Sequence, residues 1–210
     1  MCAESGNVLR VNFQAFLDSP ELHARYSACI LGKPGVGKTP LCKSTAIYLA
    51  TSYQKMMYDT DEADAYYVMA NTIDLLKELN QNDLLKEWVP LFLDEFETGD
   101  TAQVGSLSAN ALKVLVDVPA GGSIRCRYHD LVLPPNMPRL FAANAASSDD
   151  WLQSIGASSA QHRLAVEKRV LFFTITTSAV PAQFQNRTGM QSLVDPRLKA
   201  ALSVGRAYVG

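Results

Sequence analysis

The sequence has few cysteines, and none of Cys2, Cys29, Cys42 and Cys126 forms a CxxC pair or shows metal-ligand spacing. A disulfide scaffold is therefore excluded as a reading, and Cys29 and Cys42 are expected in the core of an intracellular, non-secreted protein. No apolar run approaches the length of a membrane span, and no secretory signal opens the chain. No membrane partner is expected. Asn186-Arg-Thr188 matches a glycosylation acceptor, which without secretion is read as accidental. An excess of one charge is also missing: the net charge is −2, so there is no global attraction to nucleic acid, and any such contact needs a local basic patch. Internal repeats and low-complexity tracts are absent. What remains is 210 residues of ordinary globular composition, enough for one domain with an ample core.

Against that background, Gly32-Lys33-Pro34-Gly35-Val36-Gly37-Lys38-Thr39 has the spacing of a P-loop, and Pro40 follows it. Glycines let the backbone turn its N–H groups inward around a phosphate. Lys38 can reach the outer phosphates, and the Thr39 hydroxyl can face a magnesium ion. Tyr26 to Leu31 is predicted as the strand running in. Lys38 to Tyr53 is predicted as the helix running out, with Leu41, Cys42, Thr45, Tyr48 and Leu49 on one face. Its positive N-terminus points at the phosphate. Pro40 sits in the first turn, where a missing N–H costs nothing.

Residues 1–25 are expected as a short lead-in with one helical turn around Phe13 to Leu17. Residues 26–176 form the domain, and 177–210 a tail with a helix predicted over 195–207. Tyr66 to Ala70 is predicted as a second, buried strand. Asn71 or Thr72 caps a helix that carries Ile73, Leu76, Leu84 and Trp88 inward, with a break near Asn80 to Asn82. Val89 to Leu93 is a third strand and ends in Asp94-Glu95. Downstream of a P-loop, such a pair reads as Asp94 holding magnesium through water and Glu95 orienting or deprotonating the attacking water.

A helix is predicted over Ser106 to Asp117. A hairpin follows, carrying Ile124, Arg125 and Arg127 in, turning at Tyr128-His129-Asp130 and returning through Leu131 to Leu133. From Lys113 to Arg139 the stretch has Lys113, Arg125, Arg127 and Arg139 against Asp117 and Asp130, a small local basic excess. Pro138 to Ala143 is a fourth strand whose tip, Asn144, can either bond the lytic water or end the strand as a turn residue. After a serine-rich segment with Trp151 and a helix running to Lys168, Arg169 to Ile175 is the fifth strand.

This order resembles the superfamily 3 helicase domain, a branch of the AAA+ ATPases. Within it the chain is most similar to the helicase half of the replication initiators of circoviruses and related circular single-stranded DNA viruses. The similarity runs from Tyr26 to Ile175 and is most specific between Leu112 and Asn144. The resemblance implies an α/β P-loop NTPase of AAA+ type, with a parallel five-stranded sheet of order 5-1-4-3-2 and a β-hairpin insertion. It implies ATP and Mg2+ as cofactors and a homo-oligomer, a hexameric ring, unwinding DNA in rolling-circle replication, with the host nucleus as the place for such a viral protein. RNA stands as the second track, because superfamily 3 relatives also occur in RNA viruses. Position by position, Gly32, Gly35, Gly37, Lys38 and Thr39 match motif A, and Asp94 and Glu95 match motif B, where many relatives have two Asp. Asn144 matches motif C. Arg125, Arg127 and His129 take the role of the DNA-contacting hairpin, although Gly121-Gly122 lies earlier than in relatives. Arg169 matches an arginine that can serve as a finger to a neighbouring subunit's ATP, with Arg163 as second choice.

One departure is plain. The viral initiators carry a nicking domain first, but His23, His129 and His162 form no His-x-His pair, and no Tyr-x-x-Lys occurs. The chain is read as a fragment, a standalone helicase, or a relative without that half. Two rivals remain at this stage: an AAA+ ATPase that loads or remodels a protein partner, and a non-catalytic nucleotide-bound scaffold.

Overall fold

Alternating side chains along a set of short apolar strands divide the core in two. The computed structural model describes residues 11–59, 64–97, 107–126, 129–157, 159–176 and 206–209. The central sheet is formed by β1 (Ser27–Leu31), β2 (Tyr66–Thr72), β3 (Leu91–Glu97), β6 (Arg139–Ala143), β7 (Val170–Thr174) and β8 (Arg206–Val209). Its order is β7-β1-β6-β3-β2-β8, and every pair is parallel. A separate antiparallel pair, β4 (Gly122–Ile124) and β5 (Leu131–Leu133), is the expected hairpin. The protein is thus an α/β protein built on a parallel sheet, compatible with a P-loop fold.

The period of two sends Cys29, Leu31, Leu91, Leu93 and Phe141 to one face, with α4 (Ile73–Gln81), α5 (Ala109–Val116), α6 (Ser148–Ser154) and the hairpin. It sends Ala28, Ile30, Phe92, Leu140 and Ala142 to the other, against α3 (Lys38–Tyr58) and Phe16 of α1 (Phe13–Asp18). Helices on both faces are what a parallel sheet requires, because its strands have no wet side.

Local chemistry sets the ends. Thr72, not Asn71, caps α4 by accepting from the Leu75 N–H at 3.2 Å, and the helix stops at Gln81, so Leu84 and Trp88 lie beyond it. Ser108 caps α5 in the same way, so the helix begins at Ala109, three residues after the expected Ser106. The single helix expected up to Lys168 is two, α6 and α7 (Ala160–Glu167), each with a serine cap, Ser147 and Ser159. The lead-in is also more than one turn: α1 is followed by α2 (Pro20–Arg25), with Pro20 in its first turn. In α3, Cys42, Thr45 and Leu49 face inward as expected, but Tyr48 is 45% exposed, because α3 covers the sheet with a narrower stripe than the five residues span.

β8 is a sixth strand, beyond the five expected. It pairs along β2 from Tyr66 to Met69. Most of the helix predicted over 195–207 lies outside the described residues, but its last two positions, Arg206 and Ala207, are strand. Pairing with the open edge of β2 satisfies backbone groups that a helix there would leave bare. No helix among the described residues is long and apolar enough to cross a membrane.

Candidate nucleotide site

The loop between β1 and α3 turns on two glycines, Gly35 at φ 78° and Gly37 at φ 100°, values open to glycine and strained for other residues. Gly37 is also the N-cap of α3 and offers no side chain for a cap. The first-turn N–H groups of a 21-residue helix are therefore left facing outward, where an anion satisfies them. Gly32 is packed closely: a Cβ there would stand 3.2 Å from the Ile175 carbonyl oxygen and 3.0 Å from Val36. Lys33, Pro34 and Val36 complete the loop, and Pro40 lies in the first turn of α3.

Three parts of the chain deliver side chains to this loop: α3, β3 and the residue after β6. Lys38 opens α3 and is buried, 4% exposed. Its Nζ donates to the Lys33 carbonyl at 2.8 Å and to Asn144 Oδ1 at 2.6 Å. Since an ammonium has only donors, the Asn144 amide must turn its oxygen to Lys38, which leaves its nitrogen to donate to Glu95 Oε1 at 2.5 Å. Thr39 Oγ1 donates to Asp94 Oδ1 at 2.9 Å. Residues 106 positions apart in the chain, Lys38 and Asn144, thus meet through the adjacency of β1 and β6.

The acid pair is not at the tip of a strand, as expected, but within β3, which runs on to Glu97. Asp94 still pairs with Ala142 of β6, two residues before Asn144. Next to it the register with β2 slips, from Ala70↔Leu93 to Thr72↔Glu97, and Glu95 adopts φ 44°. A bulge with a left-handed non-glycine residue is strained, and it re-aims the side chain from its alternating place in the strand. Here it turns Glu95 to Asn144. Nothing in the letters Leu-Asp-Glu-Phe signals that bulge.

Burial sets the electrostatics. It lowers the pKa of Lys38, with Glu95 and then Asp94 pulling the other way. It raises that of Asp94, opposed by the Thr39 hydrogen bond. A Thr hydroxyl in contact with a carboxylate offers two hard oxygen ligands, which suits magnesium, an ion that takes one or two protein ligands and completes its shell with phosphate and water. Among the described residues no three His, Cys, Asp or Glu side chains gather to hold a metal by themselves.

Three expected residues lie elsewhere. Arg169 precedes β7 beside the start of β1, at the end of the sheet away from the P-loop. Its Nε donates to Asp117 Oδ2 at 2.6 Å and its Nη1 to the Ala165 carbonyl at 2.7 Å. Both partners hold it there, so within one chain it does not meet the Lys38–Asn144–Glu95 group. Arg163 binds elsewhere: its Nη1 is 3.3 Å from Asp149 in the first turn of α6, the helix that follows Asn144, and its Nε donates to the Ala157 carbonyl at 3.1 Å. Arg125 and His129 are exposed between β4 and β5, whereas Arg127 and Tyr128 lie outside the described residues. No protein-family model matches this chain, and no curated protein does.

Proposed function

We propose that the chain is an ATP-driven nucleic-acid translocase of the superfamily 3, AAA+ type. The observation that carries it is the side-chain chain Lys38–Asn144–Glu95 beside Thr39–Asp94, drawn from α3, β3 and the residue after β6 onto one glycine loop. The strand order supports the type. With β8 set aside, the sheet runs fifth, first, fourth, third, second strand, the order the resemblance implies. The hairpin inserted between α5 and β6 lies in the family's place.

In this reading Lys38 and the loop N–H groups bind the phosphates of ATP. Magnesium, held by Thr39 and Asp94, would neutralise phosphate charge. Glu95 takes or orients the water proton, and Asn144 links the group that binds phosphate to the group that acts on water. Of the two arginines that could reach a neighbour's ATP, we take Arg163, because Arg169 is tied within its own chain to the part-buried Asp117 at 2.6 Å, whereas Arg163 meets the exposed Asp149 at 3.3 Å. Assembly as a homo-hexamer supplies the finger in trans. Arg125, Arg127 and His129 contact single-stranded nucleic acid, DNA first and RNA second. One or two phosphate contacts per subunit give a weak monomer, with a salt slope of about −0.7 per contact, and a ring makes the sum strong.

The test is ATP hydrolysis across a protein concentration series, with and without single-stranded DNA or RNA, beside Lys38→Ala. Activity that rises more than linearly with protein and again with nucleic acid, and is lost in the variant, supports the reading. Lys38-dependent activity indifferent to nucleic acid replaces it with the protein-remodelling ATPase. Binding of Mg-ATP without turnover replaces it with the scaffold.

A further inference from the structure

Arg139 opens β6 and is 1% exposed. Its Nη1 donates to the Val114 carbonyl in the last turn of α5, and its Nε and Nη2 have no hydrogen-bond partner. A guanidinium is rarely kept out of water unless an anion compensates it. The nearby anion is Asp117, the C-cap residue of α5, whose charge acts on Arg139 while its Oδ2 accepts from Arg169 Nε. Arg169 in turn holds the Ala165 carbonyl in the last turn of α7. Ser27, at the start of β1, donates its hydroxyl to the Val116 carbonyl at 2.9 Å. Three neighbouring strands, β7, β1 and β6, therefore grip the ends of two helices that pack on each other, with the Asp117 carboxylate bonded to Arg169.

The junction with the hairpin has no slack. Gly121 sits at φ +59°, and a Cβ there would meet the Leu133 carbonyl oxygen at 2.5 Å. A Cβ on Gly122 would meet Val114 at 3.0 Å. Asn136 donates its N–H to the Val118 carbonyl at 2.8 Å. The base of the hairpin is thus joined to α5 and, through Asp117, to α7, which carries Arg163. β6, which Arg139 opens, leads to Asn144.

We propose that Arg139, Asp117 and Arg169 are positioning residues that lock α5, α7 and the β4–β5 hairpin into one body, so that a load on the hairpin reaches Arg163 and Asn144. The locking stands on the hydrogen bonds of Arg139 and Arg169 to the last turns of α5 and α7 and on the Asp117–Arg169 pair; the transfer of load rests on the translocase reading. The test uses the full chain as wild type, Arg139→Lys and Asp117→Asn. Arg139→Lys keeps the charge but loses the fork, and Asp117→Asn keeps an acceptor but loses the charge. In hydrogen exchange of the nucleotide-free protein, segments 122–133 and 160–167 should speed up together by about tenfold, with α3 unchanged. In ATPase assays the basal rate should stay within about twofold while stimulation by single-stranded DNA falls by about tenfold.

Faster exchange confined to α5, or across the whole chain, overturns the locking. Full stimulation in both variants overturns the transfer of load. A wild type indifferent to nucleic acid overturns the translocase reading and the load with it, while the exchange result still decides the locking. If Arg139→Lys does not fold, Asp117→Asn, which leaves the buried guanidinium in place, gives both readouts.

Discussion

Burial works against both charges at the glycine loop, holding the Asp94 carboxyl above its usual pKa and the Lys38 ammonium below. For Asp94 the folded value is the higher one, so its contribution to stability is complete below the unfolded pKa and is lost as pH rises through the folded pKa. For Lys38 the folded value is the lower one, so its contribution is present above the unfolded pKa and is lost as pH falls through the folded pKa. Wherever the two groups are charged, burial makes each charge cost stability. Asp94→Asn keeps an acceptor for Thr39 and removes one of those charges. In nucleotide-free buffer it should unfold at or above the wild-type temperature, while magnesium-dependent turnover falls by about 10² or more. A midpoint several degrees lower would mean that the carboxylate supports the fold. Asn144→Ala, by contrast, leaves Lys38 its Lys33 carbonyl and strands Glu95. Turnover should drop about 10²- to 10³-fold with ATP affinity, read by titration, changed only a few-fold. That Lys38, Thr39, Asp94, Glu95 and Asn144 meet at one glycine loop was legible because the sequence pairs a glycine loop with acids and an amide at the ends of apolar strands. Arg139 was not: it reads as one more basic residue near a hairpin, and its burial depends on Val114 and Asp117 arriving from another element.

The two short N-terminal helices are part of the core. Phe16 and His23 are buried, and Phe13, Phe16 and Phe173 form an aromatic cluster against β7. His23 Nδ1 lies 3.1 Å from the Tyr53 hydroxyl, which donates to the Pro20 carbonyl. Burial pushes the histidine from 6.5 down to about 4. The folded pKa is depressed, so its contribution is present above pH 6.5 and is lost as pH falls toward 4, up to about 3 kcal/mol. His23→Gln cannot charge, and its urea midpoint should change less than wild type between pH 7 and pH 4.5; equal slopes would place the acid sensitivity elsewhere. The period of a six-residue helix is too short to read, which is why the sequence suggests only one turn here. The hairpin shows a second limit of sequence. Its strands look like a free arm, yet Ile124, Leu131 and Leu133 are core. Leu131→Ala should cost about 2–4 kcal/mol in chemical unfolding. Arg125→Ala, at an exposed position, should leave unfolding unchanged and weaken nucleic-acid stimulation.

At the scale of the whole molecule, five apolar strands and their turns were legible because a parallel sheet buries both faces. β8 was not, because pairing on the edge of β2 is decided by an open strand 140 positions earlier (Tyr66↔Arg206) and not by its own pattern. Assembly is decided by surfaces that one chain does not meet. A finger acting in trans makes a sharp demand. On the proposed reading, Arg163→Ala keeps the phosphate loop and loses the finger, and Lys38→Ala keeps the finger and loses the loop. Each alone should lose about 10³ or more in turnover. Mixed in equal parts and allowed to exchange, about a quarter of head-to-tail interfaces join an intact loop to an intact finger. Activity should then recover to the order of a quarter of wild type, rising with total protein concentration. Both residues must come from one chain if the finger acts in cis, and the mixture would then be no more active than its parts. That outcome would remove the need for a ring from hydrolysis, and recovery would place Arg163 across a subunit boundary from Lys38.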